Sequence, residues 1–215
     1  MPVVLNKTKD LSDAFIAQCL EPYGITCDPR LAGQIRSYIT VLLQWNRKVS
    51  LTTVTDATEI LKFHFGESLF AVSAVPIRSR RLADIGSGAG FPGLPIRMAL
   101  PDLDLTLVEP NARKATFLSE VARLLHLDRV TVFRGRMQDL PAGAPPFDFI
   151  TARALGRHEQ LFAWSERRLA DGGRLVLWLG EEDAKGISKT PGWSWRAPVH
   201  IPGSKKRVLL VGSPA

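Results

Sequence analysis

The residues best suited to chemistry in this chain form a glycine-rich segment that follows the short apolar run Arg81–Ile85. Gly86, Gly88 and Gly90 have no Cβ, so the backbone there can come close to a bound ligand. Pro92 stands where the first turn of a helix tolerates the loss of an N–H. The pattern predicts a buried strand, a turn and a helix that together bind a nucleotide-like cofactor.

Two cofactors are compatible with this segment. Three glycines within residues 88–93 have the G-x-G-x-x-G spacing of a dinucleotide site, and Glu109 follows about 20 residues later. A pyrophosphate needs free N–H donors at the helix start, however, and Pro92 removes one while Asp84 places a carboxylate just before the first glycine. S-adenosylmethionine carries no phosphate, and its ammonium and sulfonium groups favour a nearby carboxylate. We therefore favour S-adenosylmethionine and a class I methyltransferase, with a dinucleotide site or a plain glycine turn as alternatives.

Four further candidates follow later strands of the predicted fold. Glu109 could accept hydrogen bonds from both ribose hydroxyls of an adenosyl group, or be a surface acid. Met137 could pack on the adenine ring while Gln138 meets its edge. Arg153 could bind the cofactor carboxylate or an RNA phosphate through its planar guanidinium, or form a surface salt bridge.

The elements that position these residues follow from periodicity. Apolar spacings of three and four predict helices over residues 10–73, with Asp28 as an N-cap and a later helix that begins near Asp56 and carries His64 and Glu67. After residue 76, strands and helices alternate, which predicts a mostly parallel, Rossmann-like α/β sheet covered on both faces. We expect a helical subdomain over residues 1–75 and a cofactor-binding domain over residues 76–215.

In such a sheet the ligand lies outside the carboxyl ends of the strands. That rule places residues 84–90, 136–139 and 152–155 at one edge, together with Glu109. Near the end of the chain, residues 193–199 and 207–212 predict a closing pair of strands. Trp193 and Trp195 alternate along the first of these, so they share one face and either pack there or stack on an RNA base.

Composition restricts the class of protein. A net charge of +7 and a pI near 9.8 favour a polyanionic partner such as a nucleic acid. No apolar run approaches the length of a membrane span, and residues 1–10 lack the apolar region of a signal peptide. Cys19 and Cys27 have no partners at metal-ligand spacing and are expected to be structural thiols. We expect a monomeric cytoplasmic protein without a metal.

Several motifs occur together in a characteristic order. They are Trp45-Asn46 with Leu51-Thr52, His64 with an acid and Ser68, the segment 84–93, Arg136, Phe147-Asp148 and Arg153-Ala154. In this order and approximate spacing, over about residues 30 to 180, the chain resembles the bacterial small-subunit ribosomal RNA guanine-N7 methyltransferases, the glucose-inhibited division protein B family. The resemblance implies a class I methyltransferase fold, S-adenosylmethionine as cofactor, and small-subunit ribosomal RNA or a ribosomal particle as partner.

The resemblance also implies roles for particular residues. Gly86, Phe91, Met137, Gln138 and Arg153 would bind S-adenosylmethionine, and the substrate would be one guanine in the decoding region of the RNA. The chain departs from the family pattern in having Glu67 in place of Asp, Ser50 in place of Asn, and Leu179 in place of the Lys of a Lys-Gly pair. Lys185 or Lys189 are candidates to replace that lysine.

Guanine N7 has a free lone pair and no proton, so methyl transfer to it needs no general base. Holding the reactants in line can supply roughly 7 to 11 kcal/mol of the barrier. His64 and Glu67 are candidates for contacting the guanine, since a carboxylate can accept from its N1–H and amino group. The alternative is that His64 is bonded locally within its helix. A nicotinamide-dependent oxidoreductase and a noncatalytic RNA-binding protein remain as other functions.

Overall fold

A mixed sheet forms the centre of the structure, a computed structural model that describes residues 11–77, 81–153, 156 and 158–215. Within these residues the sheet has eight strands: β1 Arg81–Ile85, β2 Asp104–Val108, β3 Val130–Phe133, β4 Phe147–Arg153, β5 Leu169–Gly180, β6 Trp193–Trp195, β7 Val199–His200 and β8 Arg207–Pro214. The order is β3-β2-β1-β4-β5-β8-β6, with β7 paired to β8. The first five strands are parallel and β8 runs antiparallel to β5, which confirms the predicted mostly parallel sheet.

Helices cover both faces of this sheet. Four follow β1 in the chain: α5 Gly93–Ala99, α6 Ala112–Leu124, α7 His158–Arg168 and α8 Glu181–Ile187. Apolar residues of α5 and α6 pack in one buried cluster, and those of α7 and α8 pack in a second cluster on the opposite face. Because alternate residues of a strand point to opposite faces, Leu82 of β1 joins the first cluster while Ala83 joins the second.

The N-terminal part of the described chain is helical, as predicted. It contains α1 Asp13–Leu20, α2 Pro29–Asn46, α3 Ala57–Glu59, a π-helix Ile60–Gly66 and α4 Glu67–Ala74, with a short 3₁₀ turn Glu21–Tyr23 after α1. Asp28 caps α2 by accepting from the Leu31 N–H, and Asp56 caps α3. These helices share one buried cluster with α5 and α6. The division into two domains at residue 75 stays a prediction.

Two local features differ from the sequence-based expectation. The strand expected over residues 193–199 is split into β6 and β7, because Pro198 lies between them and offers no N–H to a strand neighbour. Helix α8 was not predicted, since it is short and contains Gly186. Its signal was the acidic first turn, which stabilises a helix N-terminus.

The described residues include no helix that is long and apolar enough to cross a membrane. Among the same residues, no group of three or more His, Cys, Asp or Glu side chains could hold a metal ion. Cys19 and Cys27 are both free thiols.

Candidate cofactor pocket and active edge

The glycine-rich turn between β1 and α5 has the backbone that its sequence predicts. Gly86, Gly88 and Gly90 have φ values of +70°, +56° and +88°, a region that favours glycine. At Gly90 a side chain would also meet an obstacle, because a Cβ there would collide with the Tyr38 hydroxyl. The turn is therefore closely packed against the N-terminal helices.

Tyr38 and Phe91 make this packing. The Tyr38 hydroxyl donates to the Ala89 carbonyl at 2.5 Å. The Phe91 ring stacks on Tyr38 on one side, with 5.3 Å between ring centroids, and on His64 on the other, with 4.8 Å. Phe91 is 8% exposed. It thus joins the glycine turn to α2 and the π-helix, and its direct contact with the cofactor stays a prediction.

We expect Tyr38→Phe to lower the free energy of unfolding by about 1–3 kcal/mol, because the buried Ala89 carbonyl loses its donor. The looser turn should also weaken S-adenosylmethionine binding. Chemical denaturation and calorimetric titration measure the two effects. Tyr23→Phe is a matched control, since the Tyr23 hydroxyl donates to the Lys62 carbonyl outside the turn. A Tyr38 variant with unchanged affinity would show that the turn needs no support from α2.

Asp84 lies beneath the glycine turn. Its carboxylate accepts from the Thr151 hydroxyl at 2.8 Å and from the Gly93 N–H at 3.2 Å, and the residue is 1% exposed. Burial raises the pKa of Asp84 to about 6, although these two hydrogen bonds act to lower it. The sequence suggested that this carboxylate pairs with the charged groups of the cofactor or favours them through its field, and that stays a prediction. In the structure Asp84 joins β1, β4 and the start of α5.

The raised pKa of Asp84 predicts a pH-dependent stability. Between pH of about 4 and 6 the unfolded chain releases this proton while the folded chain keeps it, so this carboxyl lowers the stability as the pH rises. The shift from 3.8 to about 6 corresponds to about 3 kcal/mol. Asp84→Asn should remove this dependence, because an amide can still accept from Gly93 and donate to Thr151.

Urea denaturation of Asp84→Asn at several pH values between 4 and 7 measures the effect. The variant should gain stability relative to the parent as the pH rises, up to about 3 kcal/mol near neutrality. Asp102→Asn, at an exposed position, should keep the parental pH profile. Parallel profiles for Asp84→Asn and the parent would contradict the raised pKa.

Glu109 follows β2 and holds the other side of the turn. One carboxylate oxygen accepts from the Gly88 N–H and the other from the Asn111 N–H, both at 2.8 Å. The residue is 6% exposed. Since a carboxylate has about four acceptor positions, this arrangement leaves capacity for ribose hydroxyls. Glu109 therefore lies directly after β2 at the carboxyl edge, and its contact with the ribose hydroxyls stays a prediction.

A pocket of about 590 Å³ lies at this carboxyl edge, within the usual size range for small-molecule sites. It brings together the predicted residues Gly86, Met137 and Gln138, with Ile85 and Val108 as apolar wall. Met137 and Gln138 belong to a short 3₁₀ turn, Met137–Asp139. Sequence reasoning missed five further lining residues: Pro110, Gly135, Gly156, Gln160 and Leu161.

A cluster of three charged side chains lies at the same edge. Glu67, which is 1% exposed, accepts from Arg153 at 3.0 Å and from Arg207 at 2.8 Å. Arg153 also donates to the Phe63 carbonyl at 3.0 Å. Burial raises the pKa of Glu67 and lowers that of Arg153, while their mutual attraction opposes both changes. Both oxygens of Glu67 therefore have a cationic partner.

His64 lies beside this cluster on the π-helix. Its Nε2 is 2.8 Å from the Thr52 hydroxyl oxygen, and its Nδ1 is buried without a hydrogen-bond partner among the described residues. Burial and the nearby Arg153 lower the pKa of His64 to about 4, so the ring is neutral near pH 7. A neutral ring with one free nitrogen can donate or accept one hydrogen bond.

Arg207 was not predicted as a site residue. The sequence offered it only within the basic run at residues 205–207, and its approach to Glu67 depends on the antiparallel pairing that sets it beside Gly180. Leu179, where the family lysine would stand, is buried in the second apolar cluster. Lys185 pairs with Glu182 on the exposed face of α8. The pairing of β5 with β8 therefore places the positive charge of Arg207 next to residues 179–180.

The chain is similar to known methyltransferases, which agrees with a cofactor pocket at the carboxyl edge of the sheet. Residues 32–193 match the family described as GidB, rRNA small subunit methyltransferase G. The Ribosomal RNA small subunit methyltransferase G of Roseiflexus castenholzii is 36% identical over 200 residues, which cover 88% of this chain and 86% of that protein. Its counterpart from Streptococcus gordonii is 35% identical over 164 residues, which cover 74% and 69% respectively.

Solved structures show the same fold at low identity. Precorrin-6y C5,15-methyltransferase from Geobacter metallireducens has a TM-score of 0.58 and 15% identity, covering 77% of this chain and 91% of that one. The glycopeptide N-methyltransferase MtfA in complex with S-adenosylmethionine has a TM-score of 0.56 and 14% identity, covering 71% and 87%. These similarities establish the class I methyltransferase fold predicted from the sequence.

Proposed function

The chain belongs to the rRNA small subunit methyltransferase G family, and from this premise we propose that it transfers a methyl group from S-adenosylmethionine to N7 of a guanine in the decoding region of small-subunit ribosomal RNA. The observation that carries the proposal is the pocket of about 590 Å³ beside the glycine turn, at the carboxyl edge of the sheet where Arg153 ends β4. The family match favours S-adenosylmethionine over a dinucleotide.

The pocket residues fit the adenosyl part of this cofactor. Met137, Pro110 and Leu161 offer apolar surface for the adenine ring, and Gln138 offers an amide for its edge. Glu109 has acceptor capacity for the ribose hydroxyls, as its hydrogen bonds above indicate. Gly86 leaves the backbone open towards the methionine part.

The chain's own contribution to catalysis is orientation. When bound, S-adenosylmethionine would supply an electrophilic methyl group: the guanine N7 lone pair would form the new N–C bond as the S–C bond breaks, the sulfur would leave as a neutral thioether, and no proton would be lost. The neutral His64 ring stays the candidate for contacting the guanine, and its buried, unpaired Nδ1 would reach a base only after a local rearrangement. Arg153 and Arg207 bring positive charge to the same edge, which suits an RNA phosphate. Alignment of the two reactants is expected to supply roughly 7 to 11 kcal/mol.

The proposed role of Glu67 changes with the geometry. The sequence suggested that its carboxylate accepts from the guanine N1–H, but the residue is 1% exposed, so a guanine does not reach it in this structure, and each oxygen has an arginine partner. We therefore assign Glu67 as a positioning residue that fixes Arg153 and Arg207. Its backbone carbonyl accepts from the indole N–H of Trp178, a residue of β5, at 2.8 Å. This hydrogen bond holds the start of α4 against β5.

The partner we propose is small-subunit ribosomal RNA, alone or in a ribosomal particle. We propose that the protein binds it as a monomer in the cytoplasm. The net charge of +7 supports a partner rich in phosphate. Family membership supports the choice of ribosomal RNA over other nucleic acids.

Methyl transfer to RNA tests the proposal directly. Labelled S-adenosylmethionine would be mixed with the protein and with small-subunit RNA, or intact subunits, from cells that lack it, and the product nucleosides identified by mass spectrometry. Labelled 7-methylguanosine is the expected product. Tight cofactor binding without transfer to either substrate would overturn the assignment of the substrate and favour a noncatalytic RNA-binding role.

A further inference from the structure

A second cavity lies at the opposite edge of the sheet from the cofactor pocket. Its volume is about 280 Å³, and Arg174, Trp195 and Arg196 contribute the large side chains of its wall. Arg174 pairs with Phe149 near the amino end of β4, while Arg153 at the carboxyl end pairs with Trp178. At about 3.3 Å per residue, Arg174 is about 20 Å along β5 from Gly180. The cavity is thus separate from the active edge.

Two hydrogen-bond donors of the cavity wall have no acceptor. The Arg174 Nη1 and the Trp195 Nε1 are buried and unpaired within the described part of the chain. Buried N–H groups are nearly always paired, and a charged one left unpaired is especially unfavourable. Both side chains belong to the wall of the same cavity, so an acceptor bound there would reach these two N–H groups after a small local shift of the wall. Among the described residues of the wall there is no carboxylate that could do so.

The indole of Trp195 is held in a fixed position. It stacks on Trp193 with 5.3 Å between ring centroids and meets Phe162 edge-on at 5.5 Å. Its other side lies against Gly212, where an added Cβ would collide with the ring. The two tryptophans therefore pack on the protein, which is one of the two arrangements that the sequence left open, and the N–H of Trp195 has no acceptor among the described residues.

The side chains of the cavity wall favour an anionic ligand. Arg174 and the exposed Arg196 supply two positive charges, the Trp195 indole supplies a neutral donor, and two serines, Ser194 and Ser213, supply hydroxyls. The nearest acid in the sequence, Asp171, is exposed and is not part of the wall. A phosphodiester has several acceptor oxygens and one charge, which matches planar arginine and indole donors.

We propose that this cavity binds a backbone phosphate of the RNA substrate, as a second anchor about 20 Å from the active edge. The identity of the carrier as RNA rests on the proposed function, whereas the anion site itself rests on the donors described above. An anchor of this kind adds affinity and orientation without reading sequence.

Nuclear magnetic resonance of the tryptophan indole N–H groups tests the anion site. The chain has five tryptophans, and Trp195→Phe assigns the resonance of interest. Titration with dimethyl phosphate should shift the Trp195 resonance in a saturable manner. Arg174→Gln should abolish that shift, while Arg123→Gln, an equal charge change at an exposed position on α6, should retain it. No saturable shift in the parent, or an equal shift in Arg174→Gln, would overturn the site.

Binding of single-stranded RNA at several salt concentrations tests the source of the phosphate. Loss of one phosphate contact should reduce the slope of log K against log salt by about 0.7 in Arg174→Gln, with a several-fold weaker affinity at low salt. Arg196→Gln should act in the same direction, and provides a second variant if Arg174→Gln unfolds. Arg123→Gln should keep the parental slope. If the protein binds dimethyl phosphate but the slope of log K against log salt for RNA is the same in the parent and in both variants, the phosphate does not come from RNA.

These results are separable from the proposed function. A protein that binds dimethyl phosphate through Arg174 but forms no 7-methylguanosine would retain the anion site and lose the enzymatic assignment. A protein that forms 7-methylguanosine but shows no Trp195 shift would retain the enzyme and lose the anchor.

Discussion

Replacing Gly86 with arginine is expected to abolish binding of S-adenosylmethionine and with it methyl transfer. Gly86 lines the pocket of about 590 Å³ and has a φ of +70°, where a side chain is strained. The arginine would occupy cofactor space and bring a positive charge towards the cofactor's own ammonium and sulfonium. We expect at least a 100-fold loss of affinity, or about 3 kcal/mol, measured by calorimetric titration.

A matched variant separates this effect from general damage. At Gly143, which lies in the loop before β4, an added Cβ meets nothing within 4 Å and φ is not in the left-handed region. Gly143→Arg adds the same side chain and charge, and should bind the cofactor as the parent does. Far-ultraviolet circular dichroism of both variants establishes that they are folded. Normal affinity in folded Gly86→Arg would place the cofactor elsewhere.

Replacing Glu67 with alanine is expected to cause the largest loss of stability among the charged positions. The carboxylate is 1% exposed and pairs with two arginines, so its removal leaves buried positive charge without a partner. Breaking a buried ion pair of this type costs about 3–5 kcal/mol. Urea denaturation at pH 7 measures the change in the free energy of unfolding.

The control for Glu67→Ala is the same substitution in an exposed pair. Glu182 bonds Lys185 at 2.7 Å with side chains 85% and 67% exposed, and Glu182→Ala should change the stability by less than about 1 kcal/mol. Combining Glu67→Ala with Arg153→Met should recover part of the loss, because the Arg153 side chain is only 17% exposed and its unpaired charge is then removed. Equal effects of Glu67→Ala and Glu182→Ala would contradict the buried cluster.

A positioning role for Glu67 makes a further kinetic expectation. Glu67→Gln keeps the shape of the side chain but weakens its hold on Arg153 and Arg207, so the KM for RNA should rise while the affinity for S-adenosylmethionine stays near that of the parent. The cofactor pocket, whose walls are formed by other residues, is left intact. An unchanged KM with a lower cofactor affinity would place the cluster in the cofactor site.

Local sequence patterns predicted those features that depend on neighbours in the chain. The glycine turn follows from three glycines and a proline, and β1 was predicted with its observed bounds because a buried strand is a continuous apolar run. Capping by Asp28 and Asp56 also follows from short-range chemistry. The family resemblance, carried by motifs in order, added the cofactor and the substrate.

Features that depend on distant segments were not predicted. The orientation of the Asp84 carboxylate is set by Thr151, which reaches it only because β1 and β4 are neighbours in the sheet. From the sequence, Tyr38 is only a core residue of an amphipathic helix. The structure shows that its hydroxyl also donates to the Ala89 carbonyl. Arg207 reaches Glu67 through the antiparallel pairing of β8, which no local pattern encodes.

The position of β8 has a consequence for how the protein is made. This strand lies between β5 and β6, and it alone brings Arg207 to the carboxyl edge. During synthesis the glycine turn and its supports leave the ribosome well before β8 does. A nascent chain can thus form the glycine turn early, while the cluster of Glu67, Arg153 and Arg207 is completed only when β8 joins the sheet. The two parts of this edge therefore form in a fixed order, the turn before the charged cluster.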